Sequence, residues 1–348
     1  MLEDAALTAP LDLASAPFAD LTPHRSLDLL DAVGHPTDGR LLQLNSYENR
    51  VILAMLEGGS AVVAKFYRPG RWSDAQILEE HRFAIELATD EVPVVAPLVL
   101  ARSANAEDGL SLLGDPPTLA RAGAMRYAVS PRRAGRTPEL DDEDTLTWIG
   151  RFIGRLHAVG QRSAFEHRRR LDPETLGHGA IATLSATDQL DGAHRERWQA
   201  AARRVMACVE QRFAAIDGLR WQRVHGDCHP GNLLWTESGP HFVDLDDCGT
   251  GVAVHDFWML LSGDPLAERR QLACLLEGYE SFCDFDRREL QLIEPLRALR
   301  MLHHSAWIAQ RWSDPAFPVA FPWFGTAAYW EQQISQLQEQ VLKLEEMH

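Results

Sequence analysis

The chain has 348 residues, of which 45% are hydrophobic and 24% charged, enough for two lobes each with its own core. A formal net charge of −16 argues against a protein that coats a phosphate backbone, so nucleic acid is not an expected partner. Five cysteines (Cys208, Cys228, Cys248, Cys274, Cys283) are odd in number and form no CxxC pair. They read as reduced thiols rather than a disulfide framework or a zinc site. The first twenty residues are acidic and lack the basic region of a signal peptide, and no apolar run approaches the ~20 residues of a membrane span. A cytoplasmic protein without a membrane partner, and a monomer, is expected.

Residues 1–20, rich in Ala, Pro and Asp, read as a loose extension. Thr22-Pro23 then caps a short helix that Gly34 ends. Three strands follow, Leu41–Leu44, Arg50–Leu56 and Ser60–Tyr67, with polar turns at Asn45–Asn49 and Gly58-Gly59, forming an antiparallel meander. A helix is expected from Ser73-Asp74 through Leu87, an extended run over Pro93–Leu100, and a strand pair near Leu110–Leu113 and Met125–Val129. Ser130–Arg136 is punctuated by Pro and Gly and reads as a hinge.

Beyond it the pattern turns helical. Apolar residues recur at helical spacing over Asp142–Arg162, Ala193–Phe213, Phe257–Leu261, Ala267–Phe282, Glu289–Arg311 and Tyr329–Glu346. The expected fold class is therefore α+β and bilobal, in the manner of a protein kinase. A β-rich N-lobe with one main helix spans 21–130, and a larger, mostly helical C-lobe spans 131–348.

The chemistry concentrates in Val224–Asp247, VHGDCHPGNLLWTESGPHFVDLDD. Asp227 is followed five positions later by Asn232, and Asp244 comes after a hairpin. That is the arrangement phosphoryl transfer from Mg-ATP requires: one carboxylate addresses the incoming hydroxyl, while an amide and a second carboxylate hold Mg²⁺. Asp227 is the expected general base or hydroxyl-orienting carboxylate, Asn232 takes one Mg²⁺, Asp244, catalytic as well, bridges both, and Asp246 and Asp247 are sources of local negative field. His225 is expected to pack the loop, with Asp256 bracing it. Lys65, mid-strand among apolar neighbours, is expensive to bury without an anion and suits the nucleotide's α- and β-phosphates. On the following helix Glu80 shares the apolar stripe with Ile77, Ala84 and Leu87 and is assigned to orient Lys65, with Glu79, on the more polar side, as the alternative. Asn45–Asn49 occupies the place of a phosphate-covering loop but has no glycine; Asn45 and Asn49 tolerate positive φ, and Ser46 offers an N–H and a hydroxyl to phosphate. Adenine is expected on hinge backbone groups between Ser130 and Arg132.

Two other enzyme readings and one non-enzyme reading compete. His225, Asp227, His229, His241, Asp244 and His255 could form a metallohydrolase cluster, although that leaves Lys65, Glu80 and Asn232 unexplained. A small-alcohol kinase is open too, because the acids of the site could attract a cationic substrate. A nucleotide-binding scaffold without turnover is the third.

HGDCHPGN followed by VDLDD resembles the signature of the aminoglycoside phosphotransferase and choline kinase superfamily. LNSYENRV, VAKFYRPGRWSDAQILEEH, EVPVVAP, FVDLDDCGTGVAVHDFWMLLSGD and DPAFPVAFPWF resemble, more narrowly, the stress response kinase A family, from about Phe18 to Val341. The resemblance implies a cytoplasmic, Mg-dependent, autophosphorylating Ser/Thr protein kinase tied to envelope and oxidative stress. It maps the proton acceptor to Asp227, magnesium ligands to Asn232 and Asp244, and an ATP contact to Ser46. The extension before Phe18 and the Arg132-Arg133 pair depart from the family pattern.

Overall fold

A computed structural model describes residues 17–346 except Asn105 and Ser238, so most of the expected N-terminal extension lies outside the described residues. Its last part belongs to the core instead. Phe18 is buried, with the guanidinium groups of Arg50 and Arg68 over its ring at 5.4 and 5.8 Å. Helix α1 (Pro23–Ala32) starts as its sequence directs, the Thr22 hydroxyl accepting the Arg25 N–H with Pro23 in the first turn.

One six-stranded antiparallel sheet organises the first part of the chain. Strands β1 (Thr37–Leu44), β2 (Arg50–Leu56), β3 (Ala61–Phe66), β4 (Leu110–Leu113), β5 (Leu119–Ala122) and β6 (Met125–Pro131) lie in the order β1-β2-β3-β6-β5-β4. The sequence reading misses β5, whose Leu-Ala-Arg-Ala is poor in β-branched residues and buried at three of four positions rather than alternating. Helix α2 (Asp74–Thr89) begins in a capping box: the Ser73 hydroxyl accepts the Gln76 N–H, and the Gln76 side chain accepts the Ser73 N–H. Its first half packs on the sheet through Ile77, while Phe83, Ala84 and Leu87 belong to the core of the helical part. A helix buried on two sides positions residues for both parts of the molecule.

The second part is helical: α3 (Glu143–Gly160), α4 (Gly179–Ala186), α5 (Gly192–Ala214), α6 (Pro265–Tyr279), α7 (Ile293–Gln310), α8 (Ala316–Ala320) and α9 (Ala327–Glu346). Helices α3 and α6 approach backbone to backbone, since a Cβ on Gly150 would stand 2.0 Å from the Leu275 carbonyl oxygen. Between them run the short strands β7 (Gln222–Val224), β8 (Leu233–Thr236), β9 (Gly239–Phe242) and β10 (Gly249–Gly251), pairing β7 with β10 and β8 with β9. Two expectations change here. Phe257–Leu261 is not an α-helix but holds a single 3₁₀ turn, Trp258–Leu260, just after another at Ala253–Asp256. The helical run at Pro173–Ala186, including a π-helical turn, is absent from the sequence reading. Among the described residues no helix is long and apolar enough to cross a membrane.

Candidate active site

The junction of the two parts encloses a cavity of about 880 Å³, toward the upper end of the ~300–1,000 Å³ common for ligand pockets. Lys65, on β3, reaches into it, with its Nζ 3.3 Å from Glu80 Oε1, 3.4 Å from Asp244 Oδ1 and 3.4 Å from Asp246 Oδ1. Burial opposes the ammonium charge, but Asp246 and Glu80 overcome it and hold Lys65 well above its ordinary range. Glu79 does not compete for Lys65 and is not on a solvent face. It is 6% exposed and accepts the backbone N–H groups of Glu166, His167 and Arg168 at 2.6 to 2.9 Å.

Across the cavity, Asp227 sits on a loop whose shape is fixed from behind. Buried Asp256 accepts the N–H groups of His225 (2.7 Å) and Gly226 (2.9 Å) and takes His157 Nε2–H at 2.9 Å. Burial disfavours this carboxylate, yet the His157 bond and the surrounding imidazoles hold it below its ordinary range. His225 donates from Nε2 to the Val243 carbonyl, which leaves Nδ1 to accept the Asp227 N–H at 3.4 Å. Gly226 has φ 82°, and a Cβ there would lie 2.3 Å from the Asp247 carbonyl oxygen, so only glycine brings the two loops this close. The Asp227 side chain has Arg300 Nη1 at 3.0 Å and His229 Nε2 at 3.5 Å. Burial pushes its carboxyl up, but His229 and Arg300 bring it below the ordinary range, so it is an acceptor at neutral pH.

Asn232 is 9% exposed and donates Nδ2–H to the Asp227 carbonyl at 2.9 Å, which leaves its Oδ1 for a further partner. Asp244 follows β9 in the left-handed region (φ 60°, ψ 65°), a conformation that costs a non-glycine residue about 1–2 kcal/mol and turns its half-exposed side chain out of the strand line into the cavity. Enclosure, with Asp246 and Asp247 beside it, raises the Asp244 carboxyl despite Lys65. An amide oxygen and a crowded carboxylate suit a hard divalent cation. The rival cluster of histidines does not assemble: among the described residues no three His, Cys, Asp or Glu side chains converge as a metal cage, and His225 and His255 are spent on the backbone of Val243 and Gly226.

Asp246 and Asp247 correct the sequence reading most. They are not sources of unopposed negative field. Asp246, 3% exposed, is bound by Arg71 and Asn49 Nδ2 (3.1 Å) as well as Lys65. Although burial opposes it, Arg71 and Lys65 hold this carboxyl at about 2. Asp247 takes Arg71 at 2.8 Å and Arg169 at 2.8 Å. Asp246 and Asp247 therefore contribute little to attracting a cationic substrate, and of the four acids expected to do so Asp227 and Asp244 remain.

Ser46 and Ser130 line the cavity; Arg132 does not. The register explains why. Tyr67 N–H bonds to Arg126 O (2.9 Å) and Arg132 N–H to Ala61 O (3.4 Å), so Ser130 and Arg132 turn their backbone groups toward β3. Pro131, between them, and Arg133, which do line the cavity, turn their backbone groups away from β3. Nor does the Asn45–Asn49 loop use positive φ, which among described non-glycine residues only Glu91 and Asp244 adopt. Side chains hold it instead. Asn49 accepts the Arg68 N–H at 3.1 Å, and Glu48 meets Arg68 (3.1 Å), Arg311 (2.6 Å) and Trp307 Nε1–H (2.5 Å). Glu48, Arg71, Arg169 and Arg300 escaped the sequence reading, since each lies far along the chain from its partners and no local spacing marks it.

This fold and cleft define a phosphotransferase of the bilobal, kinase-like kind. Residues 40–293 match the model of the Phosphotransferase enzyme family. The chain is 40% identical to Stress response kinase A of Escherichia coli (strain K12) over 94% of this chain and 95% of that protein. It is 41% identical, with the same coverage, to the Serine/threonine protein kinase RdoA of Salmonella typhimurium. The chain belongs to the stress response kinase A family of phosphotransferases and is a kinase. Among solved structures its fold is similar to the amicoumacin kinase hAmiN in complex with AMP-PNP and Ca²⁺ (TM-score 0.67, 18% identity, 91% of this chain and 92% of that one). It is also similar to a microcompartment-associated aminopropanol kinase (TM-score 0.65, 19% identity, 93% and 97%). At such identities the likeness speaks for the fold alone.

Proposed function

We propose that this protein transfers the γ-phosphoryl group of ATP to serine or threonine hydroxyls of proteins, itself included, with Mg²⁺ as the working metal. The observation that carries this reading is the meeting of Lys65 and Glu80 on one side of the cleft with Asp227, Asn232 and Asp244 on the other, Lys65 reaching across to Asp244. The protein acceptor is supported by the naming of a 41% identical relative as a serine/threonine protein kinase. It is also supported by the cleft itself, where the lining residue Tyr47 stays exposed beside Phe321.

In this reading Lys65, steadied by Glu80, grips the α- and β-phosphates, and Ser46 contacts the phosphates from the β1–β2 loop. Adenine lies against the hinge, where the Pro131 carbonyl and Arg133 N–H face the cleft in place of the Ser130 and Arg132 groups. Asn232 and Asp244 hold Mg²⁺, which when bound offsets the negative charge of the transferring phosphoryl group. Asp227, fixed by Asp256 and kept ionised by His229 and Arg300, orients the acceptor hydroxyl and receives its proton.

The test compares phosphate incorporation from γ-labelled ATP by the wild type, Asp227→Asn and Lys65→Ala, offering protein and small-alcohol acceptors side by side. Asp227→Asn should lose about 10²–10⁴-fold in rate while still binding ATP. Equal labelling by all three would overturn the assignment, and labelling of the small alcohol alone would overturn the protein acceptor.

A further inference from the structure

The acceptor end of the cleft has a wall of its own. Helix α7 turns Arg300, His303, His304 and Trp307 into the cavity, positions i, i+3, i+4 and i+7 that share one helical face. None of them is acidic. His304 stacks on Trp307 (centroids 5.7 Å, planes at 27°), which meets Phe321 at 5.7 Å. Burial, with Arg169 nearby, drops His303 to about 3, so the imidazole is uncharged at neutral pH. Burial lowers His304 in the same way.

Arg300 is the cation on this face. Its Nη1 lies 3.0 Å from Asp227 Oδ1, and its side chain is 43% exposed, so the guanidinium touches the catalytic carboxylate on one edge and faces the cleft with the rest. A planar fork with five N–H donors engages more than one carboxylate at a time.

The carboxylates that could offset it are committed elsewhere. Glu48 is held by Arg68 and Arg311, Glu80 by Lys65, Asp246 by Arg71 and Lys65, and Asp247 by Arg71 and Arg169. Only Asp227 and Asp244 remain, and phosphoryl transfer itself employs both. An acceptor approaching Asp227 therefore meets a guanidinium, neutral imidazoles and aromatic rings.

We propose that Arg300 is a specificity-determining residue that selects hydroxyls carried beside a carboxylate, that is, serine or threonine flanked by aspartate or glutamate, over hydroxyls flanked by ammonium or guanidinium groups. This rests on the protein-kinase reading above and names its acceptor class. Arg300 binds the flanking carboxylate with the edge turned from Asp227, which places the hydroxyl within reach of the Asp227 carboxylate. A lysine or arginine in the same place meets like charge.

The experiment uses two peptides with a single serine, identical except that its neighbours are acidic in one and basic in the other. Both are offered to the wild type, Arg300→Ala, Arg300→Lys and Arg300→Glu. The wild type should favour the acidic peptide by about tenfold or more in kcat/KM, the scale of one charged contact. Arg300→Lys should keep the preference, Arg300→Ala should bring the ratio to within about twofold, and Arg300→Glu should invert it. The ratio is taken on one enzyme sample, so partial misfolding or a general loss at Asp227 cancels; a variant too weak to assay is replaced by the wild type at high salt, where the ratio should fall. Equal use of both peptides by the wild type, or a preference that survives Arg300→Ala, overturns this inference and leaves the kinase reading standing. If neither peptide is labelled while a small alcohol is, both fall.

Discussion

Asp256 accepts two consecutive backbone N–H groups, those of His225 and Gly226, and shapes the Asp227 loop from behind without lining the cavity. Its other partner, His157, comes from α3, which ties the loop to the helical core. Asp256→Ala would leave two N–H donors and a buried imidazole without their acceptor, and each buried donor left unsatisfied costs about 1–3 kcal/mol. Urea unfolding should show that loss. In protein that remains folded, phosphate transfer should fall much further than ATP affinity, because Lys65 and Ser46 are untouched.

Asp246 joins the two parts of the molecule through Lys65, Arg71 and Asn49. Asp246→Ala breaks a buried ion pair, a loss of about 3–5 kcal/mol, and should fall toward the lower end of that range, since Asp247 stays to pair with Arg71. It should also weaken ATP binding as much as Glu80→Ala does, because each removes one of the acids that set the position of Lys65. Titration calorimetry with ATP on both variants checks the comparison.

Glu289 predicts a pH dependence that does not originate in the cleft. It is 2% exposed, and its carboxylate accepts the Val254 N–H at 2.9 Å, two residues before Asp256. Burial, only partly countered by that bond, raises its carboxyl to about 7. A folded pKa above the unfolded value means the protonated acid is favoured by folding. Its contribution is complete below the unfolded pKa near 4.5 and is lost as pH rises through about 7. Buried His303 and His304, neutral in the fold, push stability the other way as pH rises, so Glu289 should show as a depression of the melting temperature toward pH 7 that Glu289→Gln, whose amide oxygen still accepts the Val254 bond, removes.

Glu48 anchors the β1–β2 loop to α7 through Arg311 and Trp307. Glu48→Ala should loosen residues 45–49, visible as faster amide hydrogen exchange there, and raise KM for ATP severalfold. Exchange in β2 should be unchanged, because its pairing with β3 does not involve Glu48.

The elements legible in the sequence are those in which one face alone is buried. Strand β2 and helices α3 and α9 repeat at 2 or 3.6 residues because each has one wet side, and their boundaries follow within a few residues. Helix α2 shows where that logic ends. The stripe containing Glu80 is visible, but Glu79 also faces inward, because the 166–168 backbone covers a second side that no periodicity announces. The acids of Asp244–Asp247 are equally conspicuous in sequence, yet their pairing depends on Arg71, 175 positions before Asp246, and on Arg169, 78 before Asp247. Arg132 fails for a plainer reason: a hinge residue one position out of phase presents its backbone to β3 rather than to the cleft.

The crossing contacts have a kinetic consequence. Arg71 to Asp246 and Asp247, Arg68 to Asp314, Glu48 to Arg311, and Glu79 to the 166–168 backbone all span the same junction. None can stretch to follow a partial rotation, so the enzyme should gate open in one concerted step. Such an opening should limit the release of the product nucleotide, and a quench-flow trace should then show a burst of one phosphate per enzyme before a slower steady rate.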